Sequence, residues 1–159
     1  MIENSILDII SGTPLEVWVL FCYIIFVGLK ATQKQIIFIP KLFIIPFILI
    51  GVMIFSERNF SAALYILSLG VGTGIGALSS YDTPIKILKD IKSIEVPGTY
   101  LRLIILLLFF CIKYSFGYIE AINSKLTLKY LFLETIAIGL ISGYFLGIAA
   151  CYSYRFYKN

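Results

Sequence analysis

Five stretches of this chain, residues 14–29, 36–55, 61–80, 100–121 and 127–152, read as membrane-crossing helices. A hydrocarbon core of about 30 Å takes roughly 20 helical residues. Residues 101–112 carry one charge in twelve positions. Backbone placed in hydrocarbon must satisfy its own N–H and C=O groups, and a helix does so within one segment. With 60% apolar and 14% charged residues among 159, against roughly 45–50% and 25% in soluble domains, the chain has too little polar surface to clothe a soluble core. The expected fold class is an all-α membrane protein with five transmembrane helices, a single polytopic domain over residues 1–159.

Local signals refine the spans. Ile2, Ile6, Ile9 and Ile10 fall opposite Glu3, Asn4 and Asp8, the pattern of a short interfacial helix over 2–10. Thr13, Pro14 and Glu16 form a capping-box start for the first span. Acids rather than bases near the N-terminus predict no cleaved leader. In the second span Pro40 belongs to a turn, and Pro46 predicts a kink. In the third and fifth spans, Gly70 and Gly74, and then Gly139, Gly143 and Gly147, form small-residue stripes for close helix packing, within the chain or between copies.

Residues 82–98 form the one long polar insertion. Ile85 and Ile87 alternate with Lys86, and Ile94 and Val96 with Glu95, so a short β-hairpin is expected here, ended by Pro97-Gly98. Its Lys86, Lys89 and Lys92 would face lipid phosphates. Bases near helix ends set orientation. With the N-terminus outside, the inner side holds nine bases (Lys30, Lys34, Lys41, Lys86, Lys89, Lys92, Arg102, Arg155, Lys158) and the outer side three (Arg58, Lys125, Lys129). The reading is N-out and C-in, with the hairpin cytoplasmic.

The chain has no histidine, and Cys22, Cys111 and Cys151 stand singly in apolar runs, so no metal, haem or redox site is expected and no cofactor. Gly70–Gly76 lacks the Lys-Ser/Thr of a phosphate loop. The bases form no basic-aromatic face for nucleic acid. Membrane lipids are the expected counterions of a net charge of +4.

One pair of charges stands out. Lys113 lies deep in the fourth span, where a lysine costs roughly 2.5–3.5 kcal/mol. The fourth and fifth spans should form a hairpin about Asn123-Ser124, which sets Lys113 and Glu134 each about 15 Å from the turn. A Lys113–Glu134 contact is expected, with Tyr114 or Tyr118 as hydrogen-bond partners. The other arrangement sends Lys113 to the outer interface and leaves Glu134 protonated.

The order Gly12-Thr13-Pro14, Trp18-Val19, Gly28-Leu29, Ile39-Pro40, Val96-Pro97-Gly98-Thr99, Phe110-Cys111-Ile112-Lys113-Tyr114 and Gly139 to Gly147 resembles an uncharacterised family of small proteobacterial multi-pass inner-membrane proteins. The resemblance implies a bacterial inner membrane, one multi-pass unit, and Lys113-Tyr114 as a shared feature; it implies no activity. The functional expectation is a non-enzymatic structural or accessory membrane component, acting through lipid contacts, a protein partner or self-association along the glycine stripes. The alternative is a small transporter or channel with a polar site at Lys113, Glu134 and Tyr114. Ser142 has no evident base, so nucleophilic catalysis has no visible machinery.

Overall fold

The first apolar run folds as α1 (Leu15–Ala31) and stops where Thr32 turns back, its hydroxyl and N–H both donating to the Leu29 carbonyl at 2.7 and 3.1 Å. A computed structural model of the chain describes residues 15–54, 61–122 and 124–158. The 2–10 segment, the Thr13-Pro14 helix start, Arg58 and Asn123 lie outside these residues, as do the side chains of Glu16, Glu120, Lys125 and Lys129.

The second apolar run does not make one helix. It opens as strand β1 (Gln35–Phe38), passes through a 3-10 turn (Ile39–Phe43), and only then forms α2 (Ile44–Ile54). The expected 36–55 span is thus a strand, a turn and 11 helical residues. The premise of the expected kink, a proline deep within one long helix, fails for the same reason. Pro46 is the third residue of α2, where first-turn N–H groups have no intrahelical acceptor, so its missing donor breaks nothing.

After α3 (Ala62–Tyr81), the polar insertion folds as β2 (Lys86–Leu88), a 3-10 turn (Lys89–Ile91) and β3 (Ser93–Val96). Lys92 closes the turn in the left-handed region at φ 48°. The hairpin is therefore present, but within a three-stranded antiparallel sheet of order β1-β3-β2. Ile37, Ile94 and Ile87 lie abreast in its register. They face inward with buried Val96 onto Ile148 and Tyr152. Glu95 lies on the other face, level with Ile36 and Lys86. Two strands alone are marginal in water, and a third strand with an apolar floor makes the sheet stable.

The remaining helices are α4 (Tyr100–Ile122) and α5 (Ser124–Lys158). Segments Ala62–Tyr81, Tyr100–Ile119 and Tyr130–Lys158 are long and apolar enough to cross a membrane, and Val17–Ala31 and Ile39–Gly51 are shorter apolar helical segments. At 35 residues, about 52 Å, α5 is far longer than the core is thick and overruns its expected 127–152 bounds. It is also the central helix, packed against α2, α3 and α4. Large apolar side chains face outward elsewhere, with Leu67 at 70% and Leu78 at 78% exposure. Such contiguous apolar surface calls for lipid rather than water.

Arg155 near the end of α5 fastens the end of α3. Its guanidinium donates to the carbonyls of Ser80, Tyr81 and Thr83 at 3.4, 3.2 and 2.7 Å. Ser80 and Tyr81 belong to the last turn of α3 and Thr83 lies just past it, at the negative end of the helix dipole, and the Ser80 carbonyl also accepts the Thr83 N–H at 3.3 Å. At the C-terminus of α1, the Thr99 N–H donates to the Ala31 carbonyl at 3.0 Å. A side chain on Gly98 would overlap the Thr32 backbone. That close approach is why glycine precedes α4.

Candidate functional site

Lys113 and Glu134 meet. The Lys113 ammonium donates to Glu134 Oε1 at 3.0 Å, with side-chain exposures of 21% and 2%. Lys113 stands nine residues before the end of α4 and Glu134 ten after the start of α5, about 13 and 15 Å along their helices. The antiparallel hairpin therefore brings them level. Each charge alone would be expensive in hydrocarbon, and each compensates the other. Tyr114 stacks on Phe110 of its own helix, ring centroids 5.9 Å apart, and Phe110 reaches Phe21 of α1 at 4.9 Å. Tyr118 is exposed. A small cavity of about 160 Å³ touches Lys113, and its other lining residues are apolar apart from the hydroxyl of Tyr23. Apolar cavities stay dry.

The glycines divide differently from expectation. Gly139, Gly143 and Gly147 face α3, where an added Cβ would overlap Ser68 Oγ and the carbonyls of Leu69 and Thr73. The reciprocal glycines are Gly72 and Gly76, against the carbonyls of Leu140 and Tyr144. Gly70 and Gly74 have nothing within 4 Å of that position, so they are not packing residues of this seam. They lie on the opposite side of α3, because two residues are about 200° of helix turn. The missed signal is stripe length: Ser68, Gly72, Gly76 and Ser80 continue at four-residue spacing and are buried, whereas Gly70 and Gly74 are flanked by exposed Ile66 and Leu78. The contacts rise together in number along both helices, so α3 and α5 run parallel. Hydroxyls in the seam bond within their own helices, Ser68 to the Tyr65 carbonyl at 2.9 Å and Thr73 to Leu69 at 2.7 Å.

Ser142 is fully buried in the same region. Among the described residues, no three His, Cys, Asp or Glu side chains gather closely enough to hold a metal ion. Lys86, Lys89 and Lys92 are exposed on the hairpin. Lys34 pairs with Glu95 across the outer face of the sheet. The hydrogen bond from Lys34, aided by its charge and that of Lys86, holds the Glu95 carboxyl below the usual glutamate range against the opposing effect of burial.

Comparison with protein-family models, with curated proteins and with solved structures finds no match to this chain.

Proposed function

We propose that this chain is a five-span protein of a bacterial inner membrane, N-out and C-in, serving as a non-enzymatic structural or accessory component through protein and lipid contacts. The observation that carries the reading is the Lys113–Glu134 pair, closed directly at 3.0 Å with the carboxylate side chain 2% exposed. A solute site needs polar groups with unfilled valences in a wettable space. This pair instead turns its two charges on each other beside an apolar cavity. Its geometry suits a device that sets how α4 and α5 pair.

The parallel run of α3 and α5 supports an alternating five-span path, in which the third and fifth spans share a direction. The bases Lys30, Lys34, Lys41 and Arg102 gather at the sheet end, in keeping with a cytoplasmic sheet. Exposed Lys86, Lys89 and Lys92 are placed to meet lipid phosphates there. Of the two glycine stripes, Gly139–Gly147 is filled by α3, so association with a partner or second copy would use the outward face of α3 with Gly70 and Gly74. The resemblance to small proteobacterial inner-membrane proteins supports the location.

Native mass spectrometry of the chain, extracted gently from its own membrane, tests the reading. The expected result is a protein partner in fixed ratio. A chain alone, holding a water-soluble solute that is lost in Lys113→Met, would overturn it in favour of transport.

A further inference from the structure

A cavity of about 490 Å³ opens where the C-terminal end of α1, strand β1 and its 3-10 turn meet α4 and α5. That volume lies within the range of small-molecule sites. Four cations from four separate segments line it: Lys30 in the last turn of α1, Lys34 in the connector, Lys41 in the 3-10 turn and Arg102 in the first turn of α4. Among the described residues, no acid lines it. Lys34 is offset by Glu95. Among the described residues, no carboxylate pairs with Lys30, Lys41 or Arg102. Arg102 is held in place by donating to the Tyr152 hydroxyl at 3.3 Å, with its guanidinium 5.9 Å from that ring's centroid.

Gathering bases around one concavity costs repulsion unless an anion enters, and an arginine held at the positive end of α4 with two lysines beside it suits a phosphate. The rest of the wall is not that of a soluble-anion site. Leu42, Ile45, Leu106, Phe145 and Ile148 make it apolar. The smaller cavity shares Val27, Ile45 and Leu106 with it and continues between α1, α2 and α4 as far as Lys113. From Arg102 to Lys113 is eleven residues of one helix, about 16 Å, long enough to take most of an acyl chain.

We infer that this cleft seats one anionic phospholipid, its phosphate against Lys30, Lys41 and Arg102 and one acyl chain between α1, α2 and α4. The inference needs only the cleft and its charges, and it holds whether the Lys113–Glu134 pair is structural or not.

The test uses the full chain in neutral detergent, titrated with phosphatidylglycerol, with phosphatidylcholine of equal chain length, and with inorganic phosphate. Melting temperature reads affinity, and native mass spectrometry reads stoichiometry. Phosphatidylglycerol is expected to raise the melting temperature and to remain as one molecule per chain, while the other two do neither. The double variant Lys30→Gln, Lys41→Gln changes only exposed side chains, so it should fold, and it should weaken phosphatidylglycerol binding roughly tenfold or more. The control Lys158→Gln, an exposed base outside the cleft, should leave binding unchanged. Equal stabilisation by phosphatidylcholine, equal stabilisation by inorganic phosphate, or equal weakening in the control would each overturn the inference.

Discussion

Replacing Lys113 by methionine removes the ammonium that pairs with a carboxylate whose side chain is 2% exposed. Breaking one side of a buried ion pair costs about 3–5 kcal/mol, whereas replacing both members with apolar groups of similar size is often neutral. At about 2–4 °C per kcal/mol for a chain of this size, Lys113→Met should lower the melting temperature by on the order of 10 °C. Adding Glu134→Leu should restore most of that loss. Glu134→Leu alone should fall between the two, because the Lys113 side chain is 21% exposed and its long stem can carry the ammonium toward polar surroundings. The assay is unfolding in one detergent at one scan rate, followed by the fluorescence of Trp18, the chain's single tryptophan. Equal melting temperatures for Lys113→Met and the double variant would refute the pairing argument. A Glu134→Leu loss exceeding that of Lys113→Met would refute the burial asymmetry.

The α3–α5 seam predicts a contrast in alanine substitutions. Gly143→Ala forces a methyl against the Leu69 carbonyl and should cost about 1–3 kcal/mol in thermal unfolding. Gly74→Ala meets open space and should be neutral or stabilising by about 0.5–1 kcal/mol. Arg155→Met strips the donor from three carbonyls at the end of α3, so stability should fall by about 1–3 kcal/mol and hydrogen exchange of the last turn of α3 should quicken, with Arg155→Lys recovering part of both. Because Lys34 holds the folded-state Glu95 carboxyl below the usual glutamate range, the ionised pair stabilises the fold at neutral pH, and that contribution is lost as acidification carries the pH down through the lowered value. A melting-temperature profile against pH should therefore be flatter on its acid limb in Glu95→Gln than in the parent.

How far the sequence spoke for itself depends on how local each signal was. Three long helices were legible because a run such as residues 101–112 has one home, and the hairpin because Ile-Lys-Ile and Ile-Glu-Val alternate at the period of a strand. The Lys113–Glu134 contact was legible because charges in apolar runs are rare and helical rise gave both the same depth. β1 was not. Gln35-Ile36-Ile37-Phe38 reads as the head of an apolar helix, and its partner β3 lies some sixty residues away. The seam glycines were misassigned because a run of alternating glycines offers two four-residue pairs, and only the small residues beyond them separate the faces. The cleft cations were visible only as members of a charge count, since their convergence requires the ends of α1 and α4 to meet the 3-10 turn.

The sheet and the cleft follow from the same departure. Had residues 36–55 formed one continuous helix, its first turns would have lain along α1 and α4 and filled the space between them. Instead the chain crosses the end of the bundle as β1 and turns inward only at Ile44, so α2 begins too late to close that gap. Pro46 helps enforce the late start, because an α-helix extended back toward Leu42 would need the N–H that proline lacks. Pro46→Ala restores that donor and should let α2 grow backward at the expense of the 3-10 turn, drawing Lys41 and Leu42 away from the cleft. Phosphatidylglycerol affinity should then fall without any change of charge, while hydrogen exchange at residues 41–45 slows. Slower exchange with undiminished affinity would show that the late start of α2 is not what keeps the cleft open.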